Sequence, residues 1–241
     1  MSSDDDLTKN HPVVSHEEWL AARRELLEQE KAFTRQCDEM SRLQRSLPWE
    51  RVTKVYHFDG PGGQETLGDL FARRSQLIVY HFMFHPDDKA GCPHCSLRAD
   101  GFGGVGPHLN QRDVTMVVVS RAPYPKLAAY QKRMGWGFKW VSSGDSEFNY
   151  DHGVSFTPEE FAAKRAFYNY TFRDPLARER EGHSIFYKDA SGTLFHTYSC
   201  YDRGNDKLNV HYHYLDLVPK GRDEGGRGPY WVRRRDEYDV R

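Results

Sequence analysis

The chain has 241 residues, 38% of them hydrophobic, and its 34 basic and 35 acidic side chains leave a formal net charge of −1. That content supports one sizeable core, and the balanced charge supplies no long-range field to draw in nucleic acid or an anionic membrane. No apolar run approaches the roughly 20 residues of a membrane span, and the polar start Met1–Asp6 lacks the basic-then-apolar pattern of a signal peptide. The expectation is a cytoplasmic protein, and four cysteines are too few for a disulfide scaffold.

Residues 1–14 are polar. Ser15 with Glu18 three residues on is a capping-box signature, and Trp19, Ala22, Leu26, Phe33, Cys37 and Met40 recur at helical spacing. One long amphipathic helix is predicted to Leu47, with Pro48 ending it, so residues 1–48 are read as a tail and a helical extension. A strand follows over Val52–Phe58, then a turn at Gly60–Gly63 and a short helix from Thr66 to Phe71. Gln76–Phe84 is a continuous apolar, β-branched and aromatic run, the pattern of a strand covered on both faces. Cys92-Pro93-His94-Cys95 comes next, with Pro93 at the first helical position and Cys92 as N-cap. Gly101–Pro107 interrupts this helix; its G-x-G-x-x-G spacing follows a helix start instead of a strand, so a dinucleotide fingerprint is rejected.

Asp113–Ser120 reads as a second buried strand, Lys126–Met134 as a helix ended by Gly135, and Phe138–Ser142 as a further strand. The order of strand, Cys-x-x-Cys helix, strand and helix is the βαβ alternation of a parallel sheet. Thr157 caps a helix predicted through about Tyr168, residues 169–182 read as irregular, and Ser184–Lys188 with Thr193–Ser199 give a β-hairpin. A last helix falls near Asp206–Leu215. The main domain is placed at 49–220, and 221–241 is read as a Gly-rich linker and a basic-aromatic tail.

The chemistry concentrates at Cys92 and Cys95. A thiolate attacks a disulfide, so exchange needs one cysteine of lowered pKa and a second within reach to resolve the mixed disulfide. A helix N-terminus stabilises Cys92 as an anion, Cys95 lies one turn on, and His94 between them would lower both pKa values. Three readings compete: a redox dithiol, half of a zinc site, and two unrelated thiols. Zinc in a four-cysteine site wants a second Cys-x-x-Cys or a His pair, and Cys37 and Cys200 are each isolated.

The dithiol segment, Arg133–Trp136, Phe148–Tyr150, Gly153–Thr157, Phe195–Ser199, Arg203-Gly204 and Tyr214–Arg222 together resemble a bacterial family of unknown function, number 899 in its series, over about residues 10–240. The resemblance implies a thioredoxin-like (peroxiredoxin-like) α/β sheet flanked by helices, and a dithiol–disulfide oxidoreductase of unstated substrate. CPHC is also similar to the active-site tetrapeptide of strongly oxidising DsbA-type proteins. Thioredoxin-fold oxidoreductases place a cis-proline before the strand facing the dithiol; Gly182–Phe186, the matching segment, has His183 and no proline.

His183-Ser184-Ile185 with the Asp189–Gly192 turn resembles the ligand strand of the Sco copper proteins, where a histidine joins two cysteines. The alternative is therefore a copper-binding protein or copper-dependent oxidase using Cys92, Cys95 and His183, with His81, His85 and His211 as lesser candidates. The leading reading, Cys92 as nucleophile and Cys95 as resolving thiol, needs no cofactor and takes a thiol/disulfide substrate or redox partner protein. A third reading is a non-catalytic homodimer that buries the apolar stripe of the first helix.

Overall fold

The computed structural model describes residues 7–9, 11–144 and 146–239. The polar start expected at 1–14 and the end of the tail expected at 221–241 lie partly outside them. The chain divides into two compact units, residues 1–48 and 49–241.

The first unit is built on α1, His16–Arg45. The capping box is present: the Glu18 backbone N–H donates to Ser15 Oγ at 3.3 Å, and the Glu18 carboxylate accepts from the Ser15 N–H at 2.9 Å. No residue of α1 is buried, and Trp19, Leu26, Phe33 and Met40 are all exposed.

The second unit carries the sheet. In chain order its elements are β1 (Glu50–Arg51), β2 (His57–Gly60), β3 (Gly63–Thr66), β4 (Gln76–His81), α2 (Pro93–Asp100), α3 (Val105–Asn110), β5 (Val114–Ser120), α4 (Tyr124–Met134), β6 (Lys139–Ser142), α5 (Phe148–Asp151), α6 (Pro158–Ala162), β7 (Ala166–Tyr168), β8 (Thr171–Arg173), β9 (Gly182–Lys188), β10 (Leu194–Tyr201) and α7 (Val210–Leu215). Eight strands form one sheet in the order β1-β10-β9-β4-β5-β6-β2-β3, and β7 pairs with β8 separately. β4, β5 and β6 run parallel, while β9 and β10 form an antiparallel hairpin beside β4. A βαβ unit bearing the dithiol helix, extended by an antiparallel hairpin on the other side of its first strand, is the thioredoxin-like arrangement.

The period-two pleat divides β4 between two cores. Leu77 and Val79 pack with Phe58, Phe71, Val117 and Phe186 on one face, and Tyr80 packs with Phe82, Cys95, Val118 and Trp140 on the other. Among the described residues no helix is long and apolar enough to cross a membrane.

The segment read as irregular at 169–182 holds β8, the short helix expected from Thr66 begins only at Asp69, and two further predicted elements differ in kind. The strand expected at 52–58 is split, because β1 pairs with β10 at one edge of the sheet and β2 with β6 near the other, so residues 52–56 cross between edges without a ladder. The helix expected through Tyr168 stops at Ala162. Lys164 adopts a left-handed φ of 49°, and the chain then enters β7, which buries Ala166 and Tyr168 with Val154, Phe156 and Tyr201. Burial of alternate side chains overrides the helical spacing there.

Candidate functional site

α2 starts at the carboxyl end of β4, and Cys92 is its N-cap with Pro93 following. The Cys92 N–H donates to the Met83 carbonyl at 3.1 Å, and both the Ser96 N–H and Ser96 Oγ donate to the Cys92 carbonyl, at 2.9 and 2.8 Å. Gly91, just before, leaves room for the rings of Phe82 and Tyr130: a Cβ there would lie 2.7 and 2.8 Å from them. The cysteine backbone is thus held from both sides before any side-chain chemistry is considered.

The two thiols sit in different surroundings. Cys92 is half-buried and Cys95 fully buried, and neither is in a disulfide. Hydrogen bonding from Cys95, and after it from His94, pulls the Cys92 thiol well below its ordinary value against the opposing cost of burial. Burial, reinforced by the negative charge of Cys92, pushes the Cys95 thiol well above it. The expectation that His94 lowers both is therefore corrected: in a desolvated pair the first thiolate makes the second harder to form.

His94 Nδ1 lies 4.0 Å from the Cys92 sulfur and His94 Nε2 lies 3.1 Å from the Pro229 carbonyl oxygen. A carbonyl only accepts, so Nε2 carries a proton and Nδ1 faces the sulfur. Transfer of the Cys92 proton to Nδ1 gives a thiolate–imidazolium pair, and the neighbouring sulfur is the main cause of the raised His94 pKa. The carbonyl comes from the carboxyl-terminal segment, which is anchored beside the site by Arg234, donating to the Gly91 carbonyl at 2.9 and 2.7 Å.

Behind Cys95 lies a polar cluster that sequence reasoning missed. The Glu181 carboxylate is 3.7 Å from the Cys95 sulfur, accepts from Tyr80 Oη at 2.9 Å, and is ion-paired with the buried Arg98. Arg98 lies three residues beyond Cys95 on α2, hence on the same helix face, which was a legible signal. Glu181 directly precedes β9, the strand on which His183 stands in the segment matched to the proline of thioredoxin-type proteins. Gly182 is needed beside it, since a Cβ there would lie 2.5 Å from the Tyr201 ring.

The histidines of the copper reading are dispersed. His183 is buried and stacked on Tyr80 at 4.7 Å, with Nδ1 2.8 Å from Asn205 Oδ1. His81 is on the opposite face of the sheet, 2.8 Å from Ser184 Oγ. His85 accepts from the Asp87 N–H within its loop, and His211 sits on α7. Among the described residues no three His, Cys, Asp or Glu side chains are grouped so as to hold a metal ion. Neither proposed ligand set is assembled. Cys200 is buried and donates to Asn205 Oδ1 at 3.3 Å, and Cys37 is exposed on α1.

A cavity of about 600 Å³ opens at Cys92, His94 and Cys95. Its wall carries four arginines, each facing an acid: Arg98 with Glu181, Arg180 with Asp202 at 3.6 Å, and Arg203 and Arg222 with Asp206 at 3.1 and 4.0 Å. Asn209 lines it too, 3% exposed, with its Oδ1 lacking a partner.

The family model described as "Bacterial protein of unknown function (DUF899)" matches residues 8–238. The chain belongs to this family. No curated protein matches it. Among solved structures it is similar to peroxidoxin BcpB from Mycobacterium tuberculosis, at 13% identity over 67% of this chain and 93% of that one, with a TM-score of 0.42. Xanthomonas campestris peroxiredoxin Q is similar at 16% identity over 69% and 96%, with a TM-score of 0.45. A yeast mitochondrial 1-Cys peroxiredoxin is similar at 14% over 70% and 78%, with a TM-score of 0.38.

Proposed function

We propose that this DUF899 chain is a dithiol–disulfide oxidoreductase in which Cys92 attacks and Cys95 resolves. The observation that supports it most is geometric: Cys92 is half-buried at the start of α2 with His94 Nδ1 4.0 Å from its sulfur, while Cys95, one turn on, is fully buried. The Cys92 thiolate attacks one sulfur of a disulfide R–S–S–R, forming Cys92–S–S–R and releasing R–S⁻, which takes up a proton. Cys95 then loses its proton, with the Glu181 carboxylate 3.7 Å away as acceptor, and attacks the Cys92 sulfur. The second R–S⁻ leaves, the protein dithiol is oxidised by two electrons to a disulfide, and the substrate is reduced to two thiols. A return to the dithiol takes an external thiol reductant.

Cys95→Ser tests this, because it removes the resolving thiol and leaves the attacking one. The variant is expected to accumulate a mixed disulfide on Cys92, seen as a mass increase of one R–S group, while in the unsubstituted protein the Cys92 thiolate titrates below the unperturbed cysteine value of about 8.5. No adduct with any disulfide, together with an unperturbed titration, overturns the assignment.

A further inference from the structure

The carboxyl-terminal segment meets the dithiol turn on both sides of Cys92. Before the cysteine, the Arg234 guanidinium donates to the Gly91 carbonyl through Nε and Nη2, at 2.9 and 2.7 Å. After it, His94 Nε2 lies 3.1 Å from the Pro229 carbonyl oxygen. That oxygen has two lone pairs, and the Val232 N–H donates to it at 3.2 Å, so its direction is fixed within the segment itself. Residues 234–237 are clamped in turn. Arg133 of α4 donates to Asp236 at 2.6 and 3.0 Å and to Glu237 at 3.0 Å, Arg235 pairs with Asp100 at 3.2 Å, and Val232 is buried. A stretch that the sequence reads as linker and tail is thus tied to α2 just before its first turn and at its last residue.

A free imidazole beside a thiol turns about two side-chain torsions, and its proton sits on either nitrogen. The Pro229 carbonyl only accepts, so it selects the orientation and tautomer in which Nε2 holds the proton and Nδ1 faces the Cys92 sulfur, 4.0 Å away. We infer that residues 229–237 are a positioning device for the dithiol: Arg234 docks the segment, the docked Pro229 carbonyl orients His94, and His94 so oriented accepts the Cys92 proton. This rests on the dithiol reading and adds a regulator to it. The step moves one proton from Cys92 Sγ to His94 Nδ1 and leaves a thiolate beside an imidazolium; no electron moves until that thiolate attacks a disulfide. The Cys95 sulfur, Glu181 and Arg98 also face this turn, but they belong to α2 and to the start of β9, so releasing the segment acts on His94 alone.

The test follows alkylation of Cys92 by iodoacetamide against pH in the full-length protein. Arg234→Ala is expected to raise the midpoint of that profile and to slow alkylation at neutral pH by about two- to tenfold, the range one hydrogen bond supplies. Asp236→Asn combined with Glu237→Gln releases the Arg133 clamp without touching Gly91, and is expected to act in the same direction. Arg234→Lys, which still donates to the Gly91 carbonyl, should recover part of the loss. The comparison that separates positioning from mere folding uses His94→Gln. With the imidazole gone, adding Arg234→Ala is expected to change nothing further, because the segment acts through that ring. An Arg234→Ala profile equal to that of the unsubstituted protein, or an equal loss in the His94→Gln background, overturns the inference and leaves the dithiol reading intact. A Cys92 that titrates near the unperturbed value of about 8.5 in the unsubstituted protein and forms no adduct with any disulfide removes the dithiol reading itself.

Discussion

The two faces of the central sheet use histidine in opposite ways. On the Tyr80 face His94 lies against the Cys92 sulfur, and the hydrogen bond between them, helped by the sulfur's charge, raises the His94 pKa. On the other face His81 belongs to a buried hydrogen-bonded chain through Ser184 and Ser199 to His196, with spacings of 2.8, 2.9 and 2.7 Å, and burial drives its pKa well down. The side chain is the same, so the difference lies in whether an anion offsets desolvation. His183 shows that the face alone does not decide the matter. It lies on the dithiol side, stacked on Tyr80, yet its pKa falls to about 4 because burial outweighs the bond to Asn205. Proximity to the sulfur, not to the sheet face, decides the direction in which these histidines are shifted.

The largest effect should come from removing the carboxylate that pairs with the buried Arg98 on the dithiol face. Glu181→Gln leaves Arg98, which is 5% exposed, without its carboxylate, and denaturant unfolding should show a loss of about 3–4 kcal/mol. Because the Cys95 proton also loses its acceptor, resolution of a preformed Cys92 mixed disulfide should slow. A variant of unchanged stability would mean that the Arg98–Glu181 pair is not a buried ion pair in solution.

Acidification should act next, through the buried histidines. His183 titrates near 6.5 when unfolded and near 4 when folded, so between those values the unfolded chain binds more protons. Its contribution is complete above pH 6.5 and is lost as the pH falls towards 4, which amounts to roughly 2–3 kcal/mol by pH 4.5. Denaturation midpoints across this range should fall with pH, and His183→Gln should make the profile shallower. Glu179 works in the other direction: burial lifts it to about 7, so its contribution is present below pH 4.5 and disappears as the pH rises through 7. Glu179→Gln should therefore flatten the neutral limb, and an identical slope would contradict that account.

The smallest change is expected from His94→Gln. Removing the imidazole takes away a secondary stabiliser of the Cys92 thiolate, so the midpoint of thiolate absorbance should move up, with a modest loss of alkylation rate at neutral pH. The Cys95 thiol dominates this shift, so Cys95→Ala should move the midpoint further than His94→Gln does. The reverse ranking would show that the imidazolium, not the vicinal thiol, activates Cys92.

Local chemistry determined much of this protein in advance. The Ser15–Glu18 box, the Pro93 helix start, the buried runs at 76–81 and 114–120 and the 182–201 hairpin are each written in adjacent or periodic residues, and they place Cys92 at a helix N-terminus at the end of a central strand. What periodicity could not contain is long-range pairing. Glu181 is 83 residues from Arg98 and 86 from Cys95, and Pro229 is 135 from His94. Such contacts arise only when β9 docks against β4 and the carboxyl-terminal segment folds back on α2. The same holds for the histidines: the sequence carries twelve, but whether a ring meets a thiolate, a serine or a neighbouring tyrosine depends on which side of the pleat each strand presents once the sheet is assembled. Segment 163–168 makes the converse point, since its helical spacing yielded to the burial of alternate side chains in a small separate core. Residue types and spacing decided where sulfur chemistry is available; tertiary packing decided which groups hold its protons, because desolvation and charge act through space and not along the chain.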